Sequence, residues 1–439
     1  INSINVRVSN LGTVIELKVA GLSIDYAKNN MGADHGAIFQ PENKLRRRSD
    51  QIDYEYYGDP DDETLCCHEA SFVRTLKKVI PRLNLLGFTE ASARHEYEQL
   101  VFDELEMRGE HYNEANGSDY LSFDEYCEFV CKFPLETLDD TYIEYGTDGR
   151  MDQAKGRFAD FDDLISRIPN SLYNNNYWSE QSYFGSAVCV LHPYSMLQVL
   201  FKNKLNADVE VVWQYGPIVE AGWVKLESFQ SVVPRTKTIL VATEGSSDAR
   251  ILKHALELLC SEVADFFRFV DLEGAHPFWG TGNLVKFAEG LLRIDVHNHI
   301  IFVLDNDAEG LDAYQRLLKL SLTSNMRVMT LPDLHQFNSF PAKGPEGIIN
   351  CNINGRAVAI ECYLDLKIPN YPEANIQWSN YKKEIGSWQG ALEHKESYMR
   401  RFLALNTENI QNGLYDTSKI KEVLTCLIAE ATVLNSIRD

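Results

Sequence analysis

Two short apolar runs, each ending on a carboxylate, limit what this chain can fold into more than any other feature. Thr238-Ile239-Leu240-Val241-Ala242-Thr243 is nearly continuous in apolar character and stops at Glu244-Gly245. Ile300-Ile301-Phe302-Val303-Leu304 behaves the same way and stops at Asp305-Asn306-Asp307. Runs of that length without alternation suit strands buried on both faces, as in a parallel sheet covered by helices. Helical spacing follows each run, with Ile251, Ala255 and Leu259 after the first and Tyr314, Leu317 and Leu318 after the second. Phe267 to Val270 and Met326 to Leu331 read as two more strands, and Gly280-Thr281-Gly282-Asn283 as a further helix start. Strand and helix alternate, so the expected class is α/β with a mostly parallel sheet.

In such a sheet, functional groups gather at the carboxyl ends of the strands. Glu244 directly follows one strand, Asp305 directly follows another, and Asp307 lies in the next turn. A single acid there would be read as a helix cap, a role open here also to Ser246 or Ser247. Three acids from two strand ends repel one another and call for a cation. An oxygen-only donor set suits Mg²⁺ or Mn²⁺. Asp305-x-Asp307-x-Glu309-Gly310 imitates the start of a calcium loop, but its twelfth position is Arg316 where a glutamate is required, and a strand precedes it. An aspartyl-phosphatase reading of Asp-x-Asp leaves Glu244-Gly245 unexplained.

The flanks differ in character. Val14 to Val19 alternates, and Leu22 to Tyr26 follows after Gly21, which predicts a hairpin or a bulged strand. Lys44-Leu45-Arg46-Arg47-Arg48 is the densest basic cluster, and Asp59-Pro60-Asp61-Asp62-Glu63 follows it. From Leu65 to Phe201 the spacing is read as helical, with Phe72, Leu76, Val79 and Ile80 on one face. Strand character returns in Val209 to Trp213 and in Gly222-Trp223-Val224, and Pro234 to Lys237 reads as a linker. Beyond Pro341 a Gly- and Pro-rich loop and a short segment from Ala357 to Leu364 precede predicted helices.

Composition narrows the function classes. The chain has 439 residues, too many for one ordinary core, and a formal net charge of -22. That acidity argues against general coating of nucleic acid, whose affinity comes largely from Lys and Arg, but not against a nucleic-acid enzyme with a local basic strip. No apolar run approaches the ~20 residues of a membrane helix, and no secretory pattern opens the sequence, so a cytoplasmic location is expected. The nine cysteines lack a zinc spacing and are read as reduced thiols. No Walker motif is present, so any ATPase partner has to be a separate chain.

Val241-Ala242-Thr243-Glu244-Gly245 with Asp248, and Val303-Leu304-Asp305-Asn306-Asp307-Ala308-Glu309-Gly310, resemble the two signature motifs of Toprim domains. These domains occur in topoisomerases, primases and small or OLD-family nucleases. The separation of about sixty residues fits one βα step between the motifs. The resemblance implies that Glu244 acts in acid–base or metal chemistry, that Asp305 and Asp307 bind Mg²⁺, and that Asp248 is a further metal-binding acid. Residues 1–235 resemble the N-terminal α+β domain of bacterial HEPN/Toprim-associated proteins, many linked to antiphage defence. The similarity lies in Val14 to Ala20, the basic cluster, Arg82-Leu83, Leu86 to Thr89 and Ala221-Gly222-Trp223. The paired Arg and His of HEPN ribonucleases is not evident there; Arg293 to His299 is the one match, and it lies in the Toprim segment.

Asn354 to Glu361 and Trp388 to Lys395 resemble the tails of such proteins, and OLD-type nucleases use a lysine beyond the Toprim core to stabilise phosphate charge. Lys395 is the candidate here, against a reading as a surface lysine. Glu361 is either a further ligand or a surface acid. The expected domains are 1–235, a Toprim catalytic domain over 236–335, and a mostly helical extension over 336–439. The expected activity is Mg²⁺- or Mn²⁺-dependent cleavage of DNA or RNA by Glu244, Asp305, Asp307 and Lys395, with Glu244, Asp248, Asp305 and Asp307 as metal ligands. Lys44, Arg46, Arg47 and Arg48 are the candidate nucleic-acid contacts. Control by a separate ATPase or sensor protein, or by self-assembly, is expected of a nuclease that must spare its host. The rival expectation is a non-catalytic metal-binding sensor or assembly subunit. A topoisomerase lacks its DNA gate here, and a primase its template-binding modules.

Overall fold

The structure, a computed structural model, describes residues 12–58, 61–107, 119–172, 177–270, 280–294, 296–345, 347–383 and 386–436. The chain divides into two compact units, one ending at Val233 and the other starting at Pro234. Pro234 opens a single 3₁₀ turn, Arg235–Lys237, at the segment read as a linker.

The first unit is α+β. Its five strands are β1 (Val14–Val19), β2 (Leu22–Lys28), β3 (Lys44–Arg46), β4 (Ala70–Thr75) and β5 (Glu210–Gln214), in the order β2-β1-β5-β4-β3. Every neighbouring pair is antiparallel. Val19 pairs with Leu22 across Ala20 and Gly21, both at positive φ (47° and 84°), the arrangement of a two-residue hairpin turn. A register shift at Leu17/Lys18 shows that this hairpin is also bulged.

Trp213 lies opposite both Leu17 and Phe72 and is fully buried, and its ring meets Phe72, His35 and Phe229. Aromatic rings of this size supply much of a core's apolar burial. The longer helices of the unit are Leu76–Leu85, Glu90–Met107, Phe123–Cys131, Glu180–Val188 and Pro193–Phe201.

Phe72 does not share a helix with Leu76, because Ala70 to Val73 is buried on both faces as strand β4 and the helix starts only at Leu76. Gly222-Trp223-Val224 is not a strand; it follows the short helix Gly216–Glu220, with Gly222 at φ 75°. Within the acidic stretch, Asp59 and Pro60 lie outside the described residues. Asp61 caps the helix Asp62–His68 by accepting the Thr64 N–H at 2.7 Å.

The second unit is built on a parallel sheet of β6 (Ile239–Thr243), β7 (Phe267–Phe269), β8 (His299–Leu304) and β10 (Met326–Thr330), in the order β10-β8-β6-β7. Helices Thr281–Arg293 and Ala308–Leu318 pack together, and the core of Ala242, Ile300, Phe302 and Leu304 lies against them. Helices Ser246–Leu259 and Ser418–Ser436 pack together as well, the latter also against β8 and β10. From β6 the chain steps to β7 on one side, then returns past β6 to β8 on the other. The reversal opens a crevice at the carboxyl ends of β6 and β8.

The two-residue strand β9 (Asn306–Asp307) leaves this crevice and pairs antiparallel with β13 (Ala357–Val358). A second sheet, ordered β12-β11-β14-β15, comprises β11 (Phe340–Gly344), β12 (Gly347–Cys351), β14 (Ile376–Lys382) and β15 (Ser387–Leu392). The expectation of a mostly helical extension over 336–439 therefore fails for its first half. Those strands are short, several are exposed on both faces, and they carry no alternation that a sequence pattern can detect. The segments 236–335 and 336–439 fall within one compact unit.

All nine cysteines are free thiols. Among the described residues, no single helix is long and apolar enough to cross a membrane.

Trp213→Ala removes the side chain at the centre of the first sheet and is expected to cost about 3–5 kcal/mol. Chemical denaturation followed by far-UV circular dichroism reads this as a lowered midpoint; an unchanged midpoint would remove Trp213 from the core.

Candidate functional site

The crevice at the ends of β6 and β8 collects acids from four segments. Glu244 directly follows β6, and its Oε1 accepts the backbone N–H of Asp305 at 3.0 Å, tying the two strand ends together. Asp248 lies one turn into the helix Ser246–Leu259. It caps that helix in place of the expected serines: its Oδ2 accepts the Gly245 N–H at 3.0 Å and its Oδ1 the Ser247 hydroxyl at 3.2 Å.

Asp305 directly follows β8 and accepts the Ile360 N–H at 3.2 Å. Asp307 caps the helix Ala308–Leu318 by accepting the Gly310 N–H at 2.7 Å, and its other oxygen accepts from the Gln389 side-chain amide. Gly310 is required at its position, because a Cβ there would stand 2.1 Å from the Asp305 carbonyl oxygen.

Glu361 is the fifth acid, in the 3₁₀ turn Ile360–Tyr363, and it is 3% exposed. Its charge acts on both Asp248 and Asp305. The four other acids are half-buried residues.

The electrostatics follow from crowding and burial. Burial first, then the charge of Asp307, pushes Glu244 up to about 8, against the pull of the Asp305 N–H. Burial and then Glu361 push Asp248 up to about 7, against the Gly245 N–H, the Ser247 hydroxyl and the charge of Lys395. Asp305 is raised well above the usual carboxylate range, by burial and then by Asp248, Glu244, Asp307 and Glu361. Asp307 is raised by burial, with the Gly310 and Gln389 hydrogen bonds opposing. Such a set holds protons or a cation at neutral pH, because four adjacent anions out of bulk water are costly.

The donor chemistry fits a hard divalent ion, being all oxygen. Among the described residues, however, no group of three His, Cys, Asp or Glu side chains already stands in metal-holding geometry. Each of the four acids from Glu244 to Asp307 spends one oxygen on a backbone N–H instead.

The structure thus brings Glu244, Asp248, Asp305 and Asp307 together, with Lys395, the exposed first residue of the helix Lys395–Leu403, close enough for its charge to act on Asp248. Sequence reading left Glu361 undecided and gave Gln389 no role. Glu361 follows a short apolar run, Ala357 to Ile360, and that was its only signal.

The basic strip belongs to the first unit and is occupied there. Arg46 pairs with Asp62 and Glu69, Arg47 pairs with Glu210 at 2.6 Å, Arg48 lies over the Tyr54 ring, and Lys44 over Phe72. His299, at the start of β8, hydrogen-bonds Asn435 at 2.6 Å.

Comparison with known proteins bears on the first unit. The family model described as HEPN/Toprim N-terminal domain 1 matches residues 11–237, just over half of the chain. The chain belongs to this HEPN/Toprim family. The matched stretch runs from the β1–β2 hairpin to the turn that opens the second unit, and it leaves the carboxylate crevice outside. No curated protein and no solved structure matches the HEPN/Toprim chain.

The raised carboxylates carry a pH dependence with a definite sign. A raised acid keeps its proton in the folded state after the unfolded chain has lost it, so stability falls as pH climbs from about 4.5 towards 8. Thermal unfolding of chelator-treated protein is expected to give a lower Tm at pH 8 than at pH 5, with Mg²⁺ raising Tm more at pH 8. A Tm that ignores both variables would show that the acids are not thermodynamically coupled.

Proposed function

We propose that this HEPN/Toprim protein is a metal-dependent nuclease that hydrolyses phosphodiester bonds in DNA or RNA. The observation that carries the reading is the gathering of Glu244, Asp248, Asp305, Asp307 and Glu361 at the sheet's switch point, an excess of negative charge that a divalent cation would relieve. Family membership, whose name joins HEPN and Toprim, supports a nuclease-related role. The two Toprim-like motifs support placing the chemistry in the second unit.

Asp305 and Asp307 would hold Mg²⁺ or Mn²⁺, with Asp248 and Glu361 as further oxygen donors. Bound there, the ion would supply Lewis acidity towards a phosphate oxygen and the departing oxygen. Glu244 has one oxygen fixed by the Asp305 N–H, which leaves the other to orient the attacking water and take its proton. Lys395 would offset charge that develops on the phosphate.

The wider setting follows from resemblance. Similarity to OLD-type nucleases and to bacterial defence proteins supports an antiphage effector acting in the cytoplasm, held in check by a partner ATPase or sensor or by self-assembly. With Arg46 and Arg47 paired inside the first unit, the Lys44–Arg48 strip would need to exchange those partners to meet a phosphate backbone.

Glu244→Gln and Asp305→Ala are each expected to lower Mg²⁺- or Mn²⁺-dependent cleavage of DNA and RNA oligonucleotides at least a hundredfold, with circular dichroism unchanged. Full activity in either variant would sink the assignment. Tight metal binding by the wild type with no cleavage of any substrate, alone or with a partner, would instead favour a non-catalytic sensor.

A further inference from the structure

Asp307 is the carboxylate of the crevice with both oxygens held by groups of different origin. Its Oδ1 accepts the Gly310 N–H from within its own helix. Its Oδ2 accepts from Gln389, which lies on β15, 82 residues away. The same Gln389 turns its Oε1 to the Glu309 N–H at 3.2 Å. One side-chain amide therefore bridges the carboxylate and the first turn of the helix that follows it.

The strand reaches this far because of its next residue. A Cβ on Gly390 would stand 2.6 Å from Ile376 Cγ2, 2.9 Å from Trp378 Cε3 and 3.0 Å from Ala357 Cβ, and real side chains do not approach so closely. Ala357 is the register partner of Asp307, and the Gly390 N–H donates to the Arg356 carbonyl at 3.2 Å. On the partner strand, Lys382 Nζ pairs with the Glu309 carboxylate at 2.7 Å. Both strands of the β14–β15 hairpin are thus fastened to the Asp307 turn.

We propose that Gln389 is a positioning residue of the carboxylate site, fixing the orientation in which Asp307 meets a divalent cation. The chemistry of the side chain suits that task. A carboxylate oxygen has more than one acceptor direction, so a single hydrogen bond steers it and leaves a lone pair for a ligand. A neutral amide does this without adding the positive charge by which Lys or Arg would compete with the cation. Its second bond, from the Glu309 N–H, stops the amide from turning away. The proposal rests on reading Asp307 as a cation ligand, and its test separates the two.

Mn²⁺ titration of the full chain, followed by the electron paramagnetic resonance signal of free Mn²⁺, measures affinity without any need for turnover. Gln389→Met keeps the side-chain length and removes both hydrogen bonds. Removing a group that orients a metal ligand typically weakens binding roughly 10–100-fold, so a loss of at least about tenfold is expected with unchanged circular dichroism. Gln389→Leu carries the same expectation should the methionine variant not fold.

Lys382→Met loosens the hairpin without touching Asp307 and is expected to change affinity less than about twofold. Unchanged affinity in a folded Gln389 variant overturns the proposal. Tighter binding overturns it too, since Gln389 would then occupy the cation's place. An equal loss in Lys382→Met reduces Gln389 to a structural part of the hairpin. A wild-type chain that binds no Mn²⁺ overturns the reading of Asp307 itself, and with it any role for Gln389.

Discussion

The hydrogen bond from the Asp305 N–H to the Glu244 carboxylate joins two strand ends that their charges would push apart. The β6–β8 ladder ends at Thr243 and Val303, one residue before Glu244 and two before Asp305, so this bond extends the strand pairing to the carboxylates. With it, a carboxylate from one strand closes over the next. The remaining acids then have fixed places: Asp248 a turn along its helix, Asp307 beyond a backbone approach that only glycine at 310 permits, and Glu361 on the turn whose Ile360 N–H reaches Asp305. Neighbouring N–H groups supply the opposing attraction. They partly offset the mutual repulsion and leave an anionic crevice poised between protonation and cation binding.

The first unit settles its charges differently. Its basic cluster sits beside Asp62, Glu69 and Glu210 and over two aromatic rings, so that charge is spent largely within the fold. Ion pairs of this exposed kind contribute little stability. They tie Arg46 and Arg47 to Asp62, Glu69 and Glu210, while the backbone ladder to β4 keeps β3 in the sheet. The aromatic core around Trp213 does the stabilising, through stacked and edge-on rings drawn from β4, β5 and the segment near Phe229.

What the sequence disclosed follows physical periodicity. β6 and β8 were legible because burial on both faces writes an unbroken apolar run, and the first hairpin because alternation and Gly21 write a turn. Glu244, Asp305 and Asp307 were legible because they stop those runs. β4 was misread because Phe72 happens to stand four residues before Leu76, which mimics a helical face. The β11–β15 region was missed because exposed residues such as Ile348, Ile349, Tyr381 and Trp388 break the apolar-inside rule that sequence reading depends on. Gln389 and Glu361 carry no such pattern, because the pairing of β9 with β13 that brings distant chain to the crevice is not written in local periodicity.

That pairing has a consequence for how the second unit can be divided. Asp307 and Ala357 are register partners fifty residues apart, and the groups around the carboxylates extend from position 244 to position 395. A fragment ending with the parallel sheet at Thr330 would keep Glu244, Asp248, Asp305 and Asp307 but lose Glu361, Gln389, Lys395 and the Ile360 N–H. The site is therefore not a module carried by its sheet. It is closed by later chain, so an insertion or truncation between 331 and 395 acts on the carboxylate cluster as directly as a substitution among the acids.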